Sequence, residues 1–355
     1  MDKIDEYQAL AETLDSFPQG FPATASGKEL EILAYLFSPE EAHFAAHLSL
    51  SFQPLDQVVS LVGISQAKSR RLIKRMANKG LINLNRTANG IEIKLLPFIV
   101  GIYENQNNRI DQTLAQLMED YHHEAFHEMI SVKPQFHRVI PVDASIDTKV
   151  EILPEESVSE ILVQKKAWAV IDCICRKQQN LLGKGCHHPL RVCLIMSDTP
   201  SAFDGQSDMD VLDLESALEV LDQAARAGLV HSISNHKEDI SYICNCCTCG
   251  CGILRTIAEA HMANVVARSS YFASVTEEDC VGCGTCEEMC QFGAINILEV
   301  ASVDDHVCVG CGVCVRFCPE GAISMRMRAP DEILEIPNSY ETWLEQRKKS
   351  RILAG

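Results

Sequence analysis

The sequence lacks the common signatures of nucleotide-binding and hydrolytic enzymes. No G-x-G-x-x-G follows a predicted strand, no G-x4-G-K-[ST] loop occurs, and Gly183-Lys184-Gly185 fits neither pattern. There is also no Ser-His-Asp arrangement and no nucleophile elbow. These absences argue against a site for a nicotinamide, a flavin or a nucleoside triphosphate, and against serine hydrolase chemistry.

The sequence is also poor in long apolar runs and in net positive charge. No uninterrupted apolar segment approaches the roughly 18 residues of a membrane-spanning helix, and the acidic N-terminus does not resemble a secretory leader. We therefore expect a cytoplasmic protein without membrane insertion. The formal net charge of −18 argues against bulk attraction to nucleic acid and favours docking on a basic partner.

Cysteine is abundant, with 17 residues, yet none lies in residues 1–105. Two segments share the pattern C-x2-C-x2-C-x3-C, and glycines inside them permit tight coiling at positive φ. In such paired runs the fourth cysteine of each run binds the cluster of the other run. The pattern thus predicts one [4Fe–4S] cluster held by Cys280, Cys283, Cys286 and Cys318, and a second held by Cys308, Cys311, Cys314 and Cys290.

These two runs, each followed by Gly-Ala-Ile, resemble the bacterial-type 2[4Fe–4S] ferredoxin family over about fifty residues. A zinc or disulfide framework is the alternative, but eight cysteines in two superposable runs favour iron–sulfur clusters. Gln291 departs from the family, which usually has proline after the fourth cysteine; the departure implies a changed potential for one cluster without loss of a ligand. The oxygen sensitivity of such clusters implies a reduced, anaerobic setting.

A second group of cysteines precedes the two runs. Cys244 with Cys247, and Cys246 with Cys249, have C-x2-C spacing, so that a tight turn could present them to one metal centre. The soft thiolate ligands favour a third [4Fe–4S] cluster or zinc, and His187 or His188 could complete a zinc site. The candidate ligands from this group are Cys173, Cys175, Cys186, Cys193, Cys244, Cys246, Cys247 and Cys249.

The N-terminal residues predict helices around 29–36, after Pro39, at 55–62 and at 66–79, followed by a hairpin of 81–84 and 91–95 around Asn89-Gly90. Helix, turn, helix and hairpin resemble the winged helix-turn-helix fold. Between Ser65 and Arg86, a stretch that includes the helix at 66–79, seven basic residues occur without an acidic one, which is typical of a DNA-recognition helix. They are Lys68, Arg70, Arg71, Lys74, Arg75, Lys79 and Arg86.

Two interpretations of this N-terminal segment stay open. One is DNA binding; the other is a winged helix used for docking or dimerisation, which would make a homodimer. A separate motif, H-E-x-x-H at 123–127, matches a zinc protease signature within a predicted helix at 109–130. Its third ligand would have to be a residue such as Glu151, and a solvated helix face is the simpler interpretation.

The fold class is therefore α+β and multidomain. The whole arrangement resembles a family of 4Fe–4S proteins of anaerobic bacteria that have an N-terminal winged helix-like domain, a resemblance that implies no particular reaction. The predicted parts are a winged helix-like domain (1–105), a helix and linker (106–158), a mixed α/β cysteine-rich domain (159–265), a ferredoxin-like 2[4Fe–4S] domain (266–328) and a C-terminal helix (329–355).

The predicted function is electron transfer rather than stand-alone catalysis, because the sequence holds cluster ligands but no recognisable substrate site. The partner would be a flavin- or metal-containing oxidoreductase. A redox-responsive winged-helix transcription regulator is the main alternative. An enzyme whose substrate meets an open coordination position on a middle-domain cluster is a third.

Overall fold

The computed structural model describes residues 3–88, 90–145, 153–260, 262 and 265–354. The chain forms two units. The first is drawn from residues 1–132, 181–183 and 347–355, and the second from residues 133–180 and 184–346.

The first unit is mainly helical with one small sheet. The sheet has the strand order β1-β3-β2 and is antiparallel throughout, with Leu84 opposite Ile93. Its elements are α1 (Lys3–Ser16), α2 (Lys28–Leu36), α3 (Pro39–Ala45), β1 (Gln53–Pro54), α4 (Leu55–Val62), α5 (Gln66–Asn78), β2 (Ile82–Thr87), β3 (Gly90–Leu95), α6 (Gln112–Tyr121) and α7 (His127–Ser131).

The turn between α4 and α5 follows directly from the local sequence. Gly63 has φ +71° and ends α4, a conformation that glycine adopts without steric cost. The Ser65 hydroxyl then accepts a hydrogen bond from the Lys68 N–H and caps α5. Helix α5 buries Leu72 and Met76, and the β2–β3 hairpin follows it. A helix–turn–helix and an antiparallel hairpin thus occur in the predicted order, although Asn89 lies outside the described residues.

Two predicted helix boundaries in this unit are wrong. The sequence predicts Ser26 as the N-cap of the helix around 29–36, but Gly27 occupies the cap position, and the Thr24 hydroxyl accepts the Lys28 N–H at 2.7 Å. The long helix predicted at 109–130 starts instead at α6, because the Asp111 side chain accepts the Leu114 N–H and caps the helix there. A π-helical turn then joins α6 to α7.

The second unit contains a six-stranded antiparallel sheet and two smaller strand pairs. Its elements are β4 (His137–Ile140), α8 (Val158–Val163), β5 (Ala167–Asp172), α9 (Ile174–Leu181), β6 (Arg191–Ser197), β7 (Asp210–Leu212), α10 (Leu214–Arg226), β8 (Val230–Ser234), β9 (Tyr242–Cys246), α11 (Gly252–Ala260), β10 (Tyr271–Val275), α12 (Thr285–Met289), β11 (Ile295–Ile297), β12 (Ala301–Val303), α13 (Val313–Phe317), β13 (Ile323–Met327) and α14 (Tyr340–Ala354).

The strand order of the large sheet is β4-β8-β9-β6-β5-β7. Leu194, Ile233 and Ile243 lie in its core together with Leu162 of α8 and Leu221 of α10. Burial of such side chains contributes about 1.5–3 kcal/mol each. This core fixes the positions of β6 and β9, two strands that carry cysteines.

The sequence after the linker also predicts a helix that starts near Glu155 and runs toward Val170, and this prediction is wrong in its second half. Helix α8 ends at Val163, and residues 167–172 form β5, which pairs with both β6 and β7. The segment Ala-Trp-Ala-Val-Ile is rich in aromatic and β-branched residues, which favour a strand between two neighbours. Pairing with the two neighbouring strands therefore decides the structure of residues 167–172, and α8 does not continue into them.

The two cysteine runs belong to the smaller strand pairs of this unit. Strand β10 pairs with β13, and β11 pairs with β12, all antiparallel. Helices α12 and α13 each carry the third cysteine of one run, Cys286 and Cys314, into a shared apolar cluster with Tyr271 and Ile323. The duplicated sequence thus forms two similar halves around one core.

Trp343, in the part of α14 that belongs to the second unit, packs within that unit. Its indole N–H donates to the Gln135 carbonyl at 2.9 Å, and its ring lies 5.7 Å from that of Phe136. Among the described residues, no helix is both long enough and apolar enough to cross a membrane.

Candidate metal centres

A cavity lies at the first cysteine run. It is lined by three cysteines of that run, Cys280, Cys283 and Cys286, and by the last cysteine of the second run, Cys318. Cys286 is buried, whereas Cys283 is exposed. Four soft sulfur ligands therefore surround one cavity that opens toward the surface.

A second cavity lies at the other run. Cys308, Cys311 and Cys314 line it together with Cys290, the last cysteine of the first run. Burial raises the pKa of Cys311 to about 12, so a thiolate here needs a nearby positive charge such as a metal ion. Both cavities thus combine three cysteines of one run with the fourth of the other.

Backbone N–H groups point at the sulfurs of both cavities. Ala301 N–H donates to Cys280 Sγ at 3.3 Å, and Ala322 N–H donates to Cys318 Sγ at 3.3 Å. Ala294 N–H donates to Cys290 Sγ at 3.4 Å. Such bonds stabilise negative charge on thiolate ligands, so the residues present fit a bound iron–sulfur cluster in each cavity.

Glycines make the close coiling around the second cavity sterically feasible. Gly310 has φ +75°, and a Cβ there would lie within 3.0 Å of the Ser269 hydroxyl and the Tyr271 carbonyl oxygen. Gly284 has φ +84° but faces open space. Both glycines adopt the left-handed conformation. Of the two, only Gly310 also lies where a side chain would clash with its neighbours.

The cysteines that precede these runs form a ring of six thiols. Each thiol interacts directly with two neighbours, in the cyclic order Cys173, Cys175, Cys251, Cys246, Cys244, Cys193 and back to Cys173. Pairing of β6 with β9 places Leu194 opposite Ile243, which makes Cys193 and Cys244 neighbours. Cys244 and Cys246 share one face of β9, since side chains alternate along a strand.

Thiol–thiol hydrogen bonds polarise this six-thiol ring. Hydrogen bonds from Cys244 and Cys251 lower the pKa of Cys246 to about 6. Those from Cys175 and Cys193, together with the nearby positive charge of Arg176, hold the pKa of Cys173 well below its usual range. The ring therefore favours thiolates at two opposite positions, the form that binds metals.

A separate compact group consists of Cys186, His188, Cys247 and Cys249. All four ligand atoms lie within 4.8 Å of one another. The sulfurs of Cys186 and Cys247 are 3.9 Å apart, and Cys249 Sγ lies 3.5 Å from His188 Nδ1. Cys247 is buried, and the other three reach the surface.

The structure divides the predicted middle cysteines differently from their C-x2-C spacing. Cys244 and Cys246 lie on β9 and belong to the six-thiol ring, whereas Cys247 and Cys249 lie in the following turn and belong to the compact group. Cys251, at the start of α11, completes the ring and was missing from the predicted ligands. Its position two residues after Cys249, in the run C-T-C-G-C, is the signal that could have identified it.

The predicted basic patch in the first unit is partly engaged in internal ion pairs. The fully buried Glu41 accepts hydrogen bonds from Arg75 at 2.5 Å and from Lys79 at 2.6 Å, and Lys68 pairs with Glu40 at 3.0 Å. Four basic residues of the patch stay exposed and are not part of these pairs: Arg70, Arg71, Lys74 and Arg86.

The H-E-x-x-H residues do not show the geometry of a protease site. Glu124 accepts hydrogen bonds from the Ser26 hydroxyl at 2.6 Å and from its N–H. His123 lies 3.5 Å from Glu119, and His127 is exposed. Glu151, the suggested third ligand, lies outside the described residues.

Residues 279–323 match the family model described as a 4Fe-4S dicluster domain. The match covers both cysteine runs with the two cavities built from them. No curated protein and no solved structure matches the chain. The chain therefore carries an iron–sulfur segment that binds at least one [4Fe–4S] cluster and supports a role in electron transfer.

Proposed function

We propose that this protein passes single electrons through two [4Fe–4S] clusters to or from a partner oxidoreductase. The observation that supports the proposal most directly is the crossed lining of the two cavities. Cys318 of the second run lies with the first three cysteines, and Cys290 of the first run lies with the second three. This is the ligand exchange that the spacing of two-cluster ferredoxins requires.

When bound, each cluster supplies a one-electron couple whose potential depends on burial and on hydrogen bonds to sulfur. The chain contributes four thiolates per cavity and the backbone donors of Ala294, Ala301 and Ala322. Cys286 and Cys314 share one apolar cluster, which brings the two ligand sets close together. Electrons could therefore pass from one site to the other inside this segment.

The surface beside the first cavity suits a docking partner. Val281 is 66 % exposed and Leu298 is 90 % exposed, both next to the run that contains Cys283. Exposed acidic residues lie in the chain segments that neighbour these two apolar side chains or line the same cavity: Glu277, Glu278, Asp279, Glu287, Glu288, Glu299 and Glu320. An apolar centre with a negative rim favours a partner oxidoreductase with a basic docking face.

The six-thiol ring is the proposed site of a third iron–sulfur centre. Six thiols lie close enough for each to hydrogen-bond two ring neighbours, and thiolate is the ligand that iron–sulfur clusters use. Buried Arg176 lies close enough to Cys173 and Cys193 to interact with their charge. A positive side chain here would offset the negative charge of a thiolate-bound cluster.

The N-terminal elements are proposed to form a winged helix that contacts protein. Lys68, Arg75 and Lys79 are already paired with Glu40 or Glu41, which reduces the charge available for phosphates. A mobility-shift assay with and without clusters tests this assignment. Sequence-specific DNA binding that changes on oxidation would favour the regulator instead.

Four single Cys→Ser variants test the two-cluster assignment in anaerobically purified protein. Cys286→Ser and Cys318→Ser should alter the same electron paramagnetic resonance signal after dithionite reduction, because both residues line the first cavity. Cys290→Ser and Cys314→Ser should alter the other signal.

The pairing of these effects distinguishes the crossed arrangement from two independent runs. If Cys318→Ser changed the same signal as Cys314→Ser, each run would hold its own cluster and the assignment would fail. Iron-free, colourless wild-type protein after oxygen-excluded purification would refute the electron-transfer function itself.

A further inference from the structure

We propose that Cys186, His188, Cys247 and Cys249 bind one Zn²⁺ ion, separate from every iron–sulfur centre of this protein. Three sulfurs and one imidazole nitrogen form a recognised ligand set for tetrahedral structural zinc. The four ligand atoms lie within 4.8 Å of one another. This site does not depend on the proposed electron transfer.

The measured separations fit a single tetrahedral ion. With Zn–S of about 2.3 Å and Zn–N of about 2.0–2.1 Å, tetrahedral geometry places sulfurs about 3.8 Å apart and sulfur about 3.5 Å from nitrogen. The Cys186–Cys247 separation is 3.9 Å, and Cys249 Sγ to His188 Nδ1 is 3.5 Å. These two separations are those that one zinc ion requires, and the other ligand pairs lie within 4.8 Å of one another.

The same separations disfavour a cubane at this place. The four protein ligands of a [4Fe–4S] cluster bind four different irons, so they stand much further apart than the ligands of one ion. The six-thiol ring uses other cysteines, since Cys246 points into it while the next residue, Cys247, belongs to the compact group. The two sets are thus distinct centres.

Charge and space around Cys247 support a bound anionic complex. Three thiolates, a neutral histidine and Zn²⁺ carry one net negative charge. The buried Arg176 donates through Nη1 to Cys247 Sγ at 3.6 Å and to the Asn245 carbonyl at 3.0 Å. A Cβ on Gly250 would lie 2.7 Å from Arg176 Cγ, so this glycine lets the arginine approach the turn.

The zinc would stabilise the loop and turn that contact the nearby iron–sulfur segment. It would join the loop at 186–188 to the turn at 247–249. Thr248 N–H in that turn donates to the Gln291 side chain at 2.7 Å, and the Gln291 amide also donates to the Gly228 carbonyl. Because Gln291 follows Cys290, the zinc would hold in place residues beside a cluster ligand.

Metal analysis and X-ray absorption on the full chain, purified without oxygen, test this inference. We expect about one zinc per chain and a zinc absorption spectrum with three sulfurs near 2.3 Å and one nitrogen near 2.0 Å. His188→Ala should lose most of the zinc, while His188→Cys should retain it with four sulfurs. His187→Ala is the matched control, because its imidazole is exposed and outside the group, and it should retain the wild-type zinc content.

Three results would overturn the inference. They are full zinc content with an unchanged spectrum in a Cys186→Ser/Cys249→Ser variant, a wild-type zinc spectrum with no nitrogen ligand, and wild-type protein that carries iron but no zinc at this group. Loss of zinc from His188→Ala with unchanged cluster signals would support it, even if the electron-transfer function were refuted.

Discussion

Replacing Gly310 with alanine should selectively weaken the cluster site formed by Cys290, Cys308, Cys311 and Cys314. Gly310 lies between Cys308 and Cys311 with φ +75°, and an added Cβ would lie within 3.0 Å of the Ser269 hydroxyl and the Tyr271 carbonyl. The Ser269 hydroxyl itself donates to the Gly310 carbonyl at 2.9 Å and is fully enclosed. Neither neighbour can move without breaking buried hydrogen bonds.

The expected magnitude is the sum of two costs. The left-handed conformation costs alanine about 1–2 kcal/mol, and overpacking a tight interior adds about 1–3 kcal/mol. Gly310→Ala should therefore destabilise the site by about 2–5 kcal/mol. Gly284→Ala, at the first run, carries only the conformational cost of about 1–2 kcal/mol, because its Cβ would face open space.

The assay compares both variants with wild-type protein under strict exclusion of oxygen. Cluster absorbance followed through a guanidinium titration gives the midpoint of cluster loss, and paramagnetic resonance identifies which cluster is lost first. Gly310→Ala should lose the signal that Cys314→Ser removes, at a clearly lower midpoint than Gly284→Ala. Equal midpoints for the two alanine variants would refute the steric argument, since both carry the same conformational cost.

Two further predictions concern the buried carboxylate of the first unit and the six-thiol ring. Glu41→Gln should lower the free energy of unfolding of the first unit by about 1–3 kcal/mol at pH 7, because two cationic partners lose a buried acceptor. Burial alone would raise the pKa of Glu41, but hydrogen bonds from Lys79, Ser38 and Arg75 outweigh it and hold the pKa below the usual 4.5. The carboxylate of Glu41 therefore stabilises the fold above pH 4.5, and this contribution is lost as the pH falls through the folded pKa. The difference in free energy of unfolding between wild type and Glu41→Gln, measured by denaturant titration, should disappear in acid. A difference that stayed constant with pH would contradict this. Cys173→Ser/Cys246→Ser, at opposite ring positions, should lower iron content by about four per chain and leave both C-terminal cluster signals intact, whereas unchanged iron would show that the ring holds none.

The basic α5 shows how tertiary contacts change the meaning of a local pattern. Seven basic residues without an acidic one between Ser65 and Arg86 predict a phosphate-binding surface. The acidic partners come from α3, some thirty residues earlier, and Glu41 of that helix is fully buried beneath Arg75 and Lys79. No local pattern in α5 indicates that pairing.

The sequence alone predicts how the duplicated cysteine runs group around the two cavities. Their ligand spacing is local, and the exchange of the fourth cysteine follows from that spacing. The helix–turn–helix boundaries at Gly63 and Ser65 were equally readable, since backbone conformation and capping are properties of one or two residues. The middle cysteines were different. Strand pairing between β6 and β9, and the alternation of side chains along β9, decided that Cys246 joins a ring while Cys247 joins a four-ligand group. Such neighbours are brought together across more than fifty residues of chain, and no spacing along the sequence carries that information.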